Sequence, residues 1–432
     1  MKNKKKNIVI AILSILIIGI VCYFIFQKQE KTSYGTIKSL PPNCENYIII
    51  NTPRIINELS NYIKKHPSEL LKAYKLLDDY DEKYNEIGIK LEEPIAIASH
   101  YNNKIISIHI ASEKPKSIHD SYPILKKVSN DLVLIHKENS LHVYSHVNEG
   151  KEQINLYFTK DSTNEKIIQE ELLIDTPLAD SNYKNHKAFN FYKANQNDII
   201  FKWDDPYLSR EIGVENIAGE INIKQDIIEL KAQGNSDESF IFHAKDSLLI
   251  MNYGWGNFAA NFQRKAWMYP ILKDSSLIKL WDGRFSIGIY QLKNIGQLLS
   301  LNNWEKILQH VDTKLFLGTT SNLINQQTSM LSDFVLNSDS ISSGVTLTNY
   351  EKTHVFNKTA DQFFNGKLDF ALMAQQKHEE WAWKAFLPIL KKTNLKAIEI
   401  NCQPISENKF ELNLGIEISD TTKHILLSPL MY

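Results

Sequence analysis

The sequence predicts an α+β fold of antiparallel sheets, built from strand–helix–hairpin units with helices on one face, plus one N-terminal transmembrane helix. Short β-rich runs are joined in pairs by polar turns of three to five residues, as in antiparallel hairpins. Apolar residues at helical spacing lie between some of these pairs, which indicates amphipathic helices packed on a sheet. A long uncharged apolar run near the N-terminus is typical of a membrane span.

The body of the chain begins with a strand and a helix. Residues 47–50 are β-rich, and Thr52 followed by Pro53 supplies an N-cap and a proline in the first helical turn. A second helical pattern covers residues 70–77. Further helices are predicted over residues 117–128 and 378–392, and hairpins over residues 94–111, 132–146, 217–232 and 396–416.

The composition is that of a globular chain rather than a disordered one. Of the 432 residues, 43% are apolar and 23% are charged. Residues 1–31 hold six lysines and one glutamate, so the rest of the chain carries 43 basic and 49 acidic side chains, a net charge of −6. A mildly acidic body argues against binding to nucleic acid, because a phosphate backbone requires a basic surface.

The apolar run over residues 8–26 predicts a retained signal-anchor helix. Nineteen residues make a helix of about 28 Å, close to the roughly 30 Å hydrocarbon core of a bilayer. Lysines are denser before the run than after it, which places the N-terminus in the cytoplasm. The sequence therefore predicts a single-pass protein of the inner (cytoplasmic) membrane, which contacts the membrane through residues 8–26 and has a periplasmic or extracellular body.

Two other interpretations of this run remain open. A cleaved signal peptide would have a shorter apolar core followed by a site of small residues, whereas this run continues through residues 23–26 without one. A lipoprotein would carry its lipid on Cys22, but the bulky Val21 before it departs from the expected pattern. The retained anchor is favoured over both.

Changes in composition divide the chain into four parts. Residues 1–31 hold the cytoplasmic lysines and the anchor, and residues 32–45 form a polar stalk that contains two consecutive prolines. The first α+β lobe is predicted over residues 46–182 and the second over residues 183–432. The boundary falls in a polar stretch at residues 180–187.

Two runs near the start of the body carry a resemblance to known families. Residues 40–43 read LPPN, and after a strand and a helix residues 88–97 read GIKLEEPIAI. This pattern resembles uncharacterised ectodomain families of Gram-negative envelopes, which are anchored by a helix or a lipid. The resemblance covers about the first hundred residues of the body. It implies an envelope location and this architecture, and it implies no activity.

A glycine-rich segment has the form of a dinucleotide fingerprint without its context. Residues 254–259 read GWGNFA, which fits the pattern G-x-G-x-x-A. The bulky Trp255 occupies the crowded turn, and no parallel βαβ unit surrounds the segment. The sequence therefore predicts no NAD site and no other cofactor.

The histidines and carboxylates do not form a recognisable metal motif. His142 and His146 would share one face of a strand, with Glu149 nearby, but their Cβ atoms would lie about 13 Å apart. The acidic run at residues 78–86 lacks the glycine of a calcium loop. Asp204 and Asp205 precede a proline and are interpreted as turn residues. No metal site is predicted, and catalytic residues are not assigned.

A dense group of aromatic residues is the predicted place for a ligand. These rings could line a groove for sugars or peptides, although aromatic residues at this density more often belong to a core. The predicted groove residues are Tyr253, Trp255, Phe258, Trp267 and Tyr269.

Two cysteines outside the apolar run could form a disulfide. Cys44 shortly precedes the first strand, and Cys402 follows a strand of the last hairpin. A bridge between them would form if those strands were neighbours in an oxidising compartment. Burial of both as small core residues is the alternative.

The sequence favours a non-enzymatic binding or scaffolding module of the cell envelope. Its partner would be an envelope protein or a glycan. The alternatives are an anchored periplasmic hydrolase whose catalytic residues are dispersed in sequence, and an accessory subunit of a membrane complex. A cleft with convergent carboxylates or histidines would favour the hydrolase.

Overall fold

The chain forms two compact units, Met1–Asp198 and Ile199–Tyr432, in the computed structural model. The boundary predicted at residues 180–187 lies outside the part of the chain that the structure describes. The described residues are 40, 44, 46–69, 88–100, 104–138, 141–148, 152–161, 163–169, 197–204, 209–210, 212–237, 240, 242, 248–252, 254–263, 281–292, 311–319, 335–339, 344–348, 355–360, 362–375, 394–419 and 424–425.

The described part of unit 1 contains a seven-stranded antiparallel sheet. Its strands are β1 (Asn46–Ile50), β2 (Ile95–His100), β3 (Ile105–Ala111), β4 (Lys126–Lys127), β5 (Leu132–Glu138), β6 (Leu141–Asn148) and β7 (Gln153–Thr159). Neighbouring strands follow the order β4-β5-β6-β7-β3-β2-β1. Most neighbours are close in sequence, so short hairpins build most of the sheet.

The described part of unit 1 contains one helix of several turns and three short ones. Helix α1 (Thr52–Lys65) precedes a 3-10 turn (Pro67–Glu69), and α2 (Ser117–Ser121) and α3 (Asn164–Ile167) follow later in the chain. The N-cap of α1 is Asn51 rather than the predicted Thr52, because the Asn51 side chain accepts a hydrogen bond from the backbone N–H of Arg54.

One apolar cluster on the sheet forms a core in the described part of unit 1. Tyr144 of β6 and Tyr157 of β7 are paired neighbours and are both fully buried. The cluster comprises Ile105, Leu132, Leu134, Tyr144, Tyr157 and Ile168. Burial of each large side chain stabilises the fold by about 1.5–3 kcal/mol.

The described part of unit 2 contains an eleven-stranded antiparallel sheet and a separate pair of strands. The strands are β8 (Ile199–Trp203), β9 (Val214–Ile223), β10 (Ile227–Ser236), β11 (Leu248–Asn252), β12 (Gly256–Asn261), β13 (Trp281–Leu292), β14 (Val311–Thr319), β15 (Val335–Asp339), β16 (Gly344–Thr348), β17 (Val355–Ala360), β18 (Phe364–Asp369), β19 (Leu395–Ser406) and β20 (Lys409–Ile418). The large sheet has the order β8-β9-β10-β20-β19-β18-β12-β13-β14-β16-β15. Strands β11 and β17 pair with each other, and α4 (Phe370–Gln375) follows β18 directly.

An aromatic cluster forms part of the core of unit 2. Phe240 stacks on Phe410 with ring centroids 5.1 Å apart, and it meets Phe363 edge-on at 5.4 Å. Gly234 of β10 lies opposite Phe410 in the sheet. A Cβ atom at Gly234 would overlap the Phe410 ring, so the glycine makes room for the aromatic cluster.

The predicted α+β class is wrong, because antiparallel sheet dominates both units in the described chain. All four predicted hairpins are present. The helix predicted over residues 117–128 is reduced to the five residues of α2, followed by strand β4. Pro123 explains the difference, since Tyr122 before it is held extended (φ −124°, ψ 133°). The helices predicted over residues 70–77 and 378–392 lie outside the described residues.

The predictions of a membrane helix and of a membrane location also require correction. No helix in the described ranges is long and apolar enough to cross a bilayer. The longest of them, α1, has 14 residues and spans about 21 Å, short of the roughly 30 Å hydrocarbon core. This finding stands against the predicted transmembrane signal anchor and the single-pass location at the inner membrane. Residues 8–26 themselves lie outside the described chain.

Candidate functional site

One side of the central sheet of unit 2 is polar across five neighbouring strands, and we term it the polar face. Because side chains alternate along a strand, the residues paired across β9, β10, β20, β19 and β18 form rows on one side. The central row is Glu220, Lys231, Asn413, Asn401 and Asn365. The row on one side of it is Asn222, Glu229, Gly415, Glu399 and Lys367. The row on the other side is Ala218, Gln233, Glu411 and Gln403.

Hydrogen bonds hold the planar side chains of the polar face in place. The amide of Asn413 donates to Glu411 at 2.7 Å and to the Asn401 oxygen at 3.4 Å. The amide of Gln403 donates to the same Glu411 carboxylate at 3.2 Å. This carboxylate therefore gathers two amide donors and fixes their orientation at the surface.

Ion pairs lie along one margin of the polar face. Lys224 contacts Glu229 at 2.6 Å, and Lys396 contacts Glu417 at 2.8 Å. The hydrogen bond from Lys396 to Glu417 raises the pKa of this lysine above its usual value. Exposed pairs of this kind contribute only about 0–1 kcal/mol each, so they order the surface more than they stabilise the fold.

The polar face ends in an open depression of about 360 Å³. The amide of Asn235 links the two regions, since it donates to Asn216 at 3.1 Å on the face and also lines the depression. The lining side chains are all polar or charged: Glu215, Asn235, Ser236, Asp237, Ser406, Asn408 and Lys409. Together these side chains offer hydrogen-bond donors and acceptors, and both positive and negative charge, to a small polar group.

The opposite side of the same strands is apolar. Leu230 pairs with Ile221 on one side and with Leu414 on the other, and Leu414 pairs with Ile400. The alternation that separates the two sides is visible in the sequence of residues 216–223. That pattern indicates the polar face as well as the hairpin.

The predicted aromatic groove is only partly within the described chain. Trp255 is 7% exposed and packs against Met373, and its indole N–H has no hydrogen-bond partner among the described residues. Phe258 is partly buried on β12. Tyr253, Trp267 and Tyr269 lie outside the described residues. Trp255 therefore belongs to a core cluster, and the groove as a whole stays a prediction.

The segment with the form of a dinucleotide fingerprint lies in an antiparallel setting. Residues 256–261 form strand β12, which pairs antiparallel with both β13 and β18. A dinucleotide site requires a strand that leads directly into a helix. The segment continues as a strand instead.

Unit 1 contains a buried relay of polar side chains that the sequence analysis did not identify. Ser107 lies 2.9 Å from His100 Nε2 and 2.9 Å from His109 Nε2. His109 Nδ1 lies 2.9 Å from Asn155 Oδ1, and the Asn155 amide reaches His146 Nδ1 at 3.3 Å. Four strands thus contribute to one chain of hydrogen bonds, which we term the histidine relay.

Burial keeps the central histidines of the relay neutral. It lowers the pKa of His100 to about 4 and that of His109 to about 3. The nearby His100 lowers the pKa of His109 further, and the Asn155 hydrogen bond opposes this in part. Desolvation dominates in both cases because the charged form loses its water.

The connectivity of Ser107, His109 and Asn155 is that of a nucleophile, a base and an orienting group. Ser107 is 0% exposed and His109 is 1% exposed, so no substrate can approach the serine in this conformation. The sequence of β3 alternates these polar residues with isoleucines, which suggests that the isoleucines face the core. The structure has the reverse order, with Ser107 and His109 buried and Ile106 41% exposed.

The two histidines weighed as metal ligands, His142 and His146, lie four residues apart on β6. His142 is buried on the same side of β6 as His146, and its Nδ1 has no hydrogen-bond partner within the described chain. Glu149 lies outside the described residues. Within the described ranges no three His, Cys, Asp or Glu side chains are grouped closely enough to hold a metal ion.

Cys402 is a buried thiol in the structure, and the disulfide to Cys44 that the sequence allows stays a prediction. Burial raises the pKa of the Cys402 thiol, and the negative charge of Glu411 raises it further. Cys44 is partly exposed. The thiol of Cys402 packs with Phe410 and Phe363 as a small core residue.

Comparisons with known proteins leave the function open. No family model and no curated protein matches the sequence. Three solved structures of TP0453, crystal forms I, III and IV, are similar over 48%, 48% and 46% of this chain and 80%, 81% and 80% of theirs. The identity is 8% in each case, and the TM-scores are 0.26, 0.26 and 0.25. Similarity at this level supports no statement about fold or function.

Proposed function

We propose that this protein is a non-enzymatic binding or scaffolding module, and that the polar face of unit 2 with its terminal depression is the binding surface. The observation that carries the proposal is the ordered network of Asn413, Glu411, Gln403 and Asn401 on the surface. Side chains held in one orientation lose little entropy on binding, which favours recognition.

The chemistry of the polar face suits a hydroxyl-rich ligand such as a glycan. Each amide side chain both donates and accepts hydrogen bonds, as a sugar hydroxyl does. The depression adds the carboxylates of Glu215 and Asp237 and the cation of Lys409, which can bind polar substituents. We therefore propose a glycan as the partner.

A hydrolase is the second candidate, and the connectivity of the histidine relay favours it. A fluorophosphonate reacts with activated serines, so it tests this candidate directly. Because Ser107 is fully buried, we expect the fluorophosphonate not to label the native protein. Labelling that is lost in Ser107→Ala would overturn the non-enzymatic proposal.

The binding proposal is tested with the full chain on an array of soluble glycans. We expect at least one class of glycan to bind, and the double variant Asn401→Ala/Asn413→Ala to lose at least about tenfold in affinity. Asn61→Ala is the matched control, because Asn61 is an exposed asparagine of α1 in unit 1. Its affinity should equal that of the wild type.

Three results would contradict the proposal. The absence of binding to every glycan on the array would exclude the proposed ligand class. Equal loss in the double variant and in Asn61→Ala would exclude the polar face as the surface. Shortened glycans released on incubation would show catalysis instead of binding.

A further inference from the structure

A short apolar segment in unit 1 projects into solvent, and we term it the apolar tip. Tyr122, Ile124 and Leu125 are 48%, 50% and 54% exposed, and Pro123 between them is exposed as well. Three large apolar residues exposed together within four positions are unusual, since monomeric proteins scatter such residues singly. The segment therefore requires an explanation other than folding.

The apolar tip is held in place by the fold. At its start the Tyr122 N–H donates to the Ile118 carbonyl of α2 at 3.0 Å. At its end the Leu125 N–H donates to the Leu134 carbonyl of β5 at 2.8 Å. The next residue, Lys126, contacts both oxygens of Glu165 at 2.7 and 2.8 Å. The exposed side chains are thus presented by a fixed backbone, which lowers the entropic cost of binding.

Positive charge accompanies the apolar tip. Residues 113–127 contain four lysines and two carboxylates, a formal charge of +2 in a chain whose total is −1. The carboxylates are Glu113 and Asp120, and Glu165 faces Lys126 from α3. The lysines are all exposed: Lys114, Lys116, Lys126 and Lys127.

We propose that the apolar tip docks on the surface of an anionic phospholipid bilayer. Ile124 and Leu125 enter the boundary between headgroups and acyl chains, and Tyr122 lies at headgroup depth, where tyrosine is favoured. Lys127 lies against the lipid phosphates, whereas Lys126 is paired with Glu165. The contact is peripheral and involves no membrane span. It goes beyond the proposed glycan binding, which uses unit 2 alone.

Edge lysines favour a lipid surface over an added strand. Among the described strands β4 pairs only with β5, and both of its residues, Lys126 and Lys127, are lysines. Lysines on an edge strand disfavour the addition of another strand, whether from a partner or from a second copy of this chain. The same charges attract an anionic bilayer.

The proposal is tested by flotation of the full chain with vesicles of phosphatidylcholine that contain about one-third phosphatidylglycerol. We expect Ile124→Ser/Leu125→Ser to lower the partition coefficient by about tenfold, and Lys127→Glu to lower it several-fold. Ile405→Ser is the matched control, because Ile405 is a comparably exposed isoleucine of unit 2. All variants share the same N-terminal residues, so only differences between them are interpreted.

Further measurements separate the lipid from other occupants. For the wild type, vesicles of pure phosphatidylcholine should bind less chain, and added salt should weaken binding to the anionic vesicles. Circular dichroism and thermal unfolding establish that each variant is folded. Because Lys127 is exposed, weaker vesicle binding by Lys127→Glu would not result from a folding defect. Equal partition of Ile124→Ser/Leu125→Ser, Lys127→Glu and Ile405→Ser would overturn the proposal. The proposal would also be overturned if the tip variants changed only self-association, measured by sedimentation velocity, and left vesicle binding unchanged. The apolar tip would then bind a second copy of the chain.

Discussion

His109 Nδ1 lies 2.9 Å from Asn155 Oδ1, and this contact sets the direction of the whole histidine relay. An amide oxygen only accepts, so His109 Nδ1 carries the proton and its neutral Nε2 accepts from the Ser107 hydroxyl. Ser107 in turn accepts from His100 Nε2, and the Asn155 amide donates to His146. One arrangement of protons therefore satisfies each of these four contacts with His100 and His109 neutral.

Removal of the accepting amide should destabilise unit 1. In Asn155→Leu the N–H of His109 loses its acceptor in a buried site, which costs about 1–3 kcal/mol in the free energy of unfolding. Chemical denaturation with urea measures this change. The exposed Asn61→Ala serves as the control and should fall within about 0.5 kcal/mol of the wild type. Equal stability of Asn155→Leu and the wild type would mean that the relay contributes nothing to folding.

Acid should destabilise the protein through the same relay. His100 and His109 have folded-state pKa values of about 4 and about 3, below the unfolded value of 6.5. Between these limits the unfolded state binds more protons, so the free energy of unfolding rises with pH and falls as pH drops below about 6.5. The loss should continue until the pH reaches the folded-state values.

The double variant His100→Gln/His109→Gln isolates this contribution. Urea denaturation at several pH values between about 7 and 4 should give a flatter profile for the variant than for the wild type. His424 in unit 2 also has its pKa lowered by burial to about 4, so it adds to both profiles and cancels in the comparison. Parallel profiles would show that the relay histidines do not control the acid response.

Two glycines of the same sheet should respond differently to alanine. In Gly234→Ala the new Cβ overlaps the Phe410 ring, which is confined by Phe240 and Phe363, and overpacking of this kind costs about 1–3 kcal/mol. In Gly415→Ala the Cβ meets only Ile227 Cδ1 at 3.7 Å, an ordinary contact. Thermal unfolding should show a clear loss for the first variant and little change for the second. A loss of equal size in both would contradict the packing argument.

The hairpins could be predicted from the sequence, but which side of each strand is buried could not. Because the turn Lys224-Gln225-Asp226 joins two β-rich runs directly, the sequence predicts that these runs pair with each other. In the structure they form the antiparallel pair β9 and β10. Alternation in β3 indicates that Ser107 and Ile106 lie on opposite sides, but it does not say which side is buried. That choice depends on partners on other strands, here Asn155 and His100, whose hydrogen bonds offset the cost of burying the polar side. The candidate polar face depends on the same kind of long-range pairing.

The last prediction concerns the thiols. Cys402 is buried and its pKa is raised, so a maleimide, which reacts with the thiolate, should modify it only after unfolding. Cys44 is partly exposed and should react in the native protein. Peptide mass spectrometry after timed labelling gives the rate at each position, and labelling in urea shows that both sites are chemically competent. A peptide pair linked through Cys44 and Cys402 under non-reducing conditions would establish the disulfide that the sequence leaves possible. Fast labelling of Cys402 in the native protein would show that the core around Phe410 opens readily. The loss of stability expected for Gly234→Ala should then be small, because that loss depends on a rigid core around Phe410.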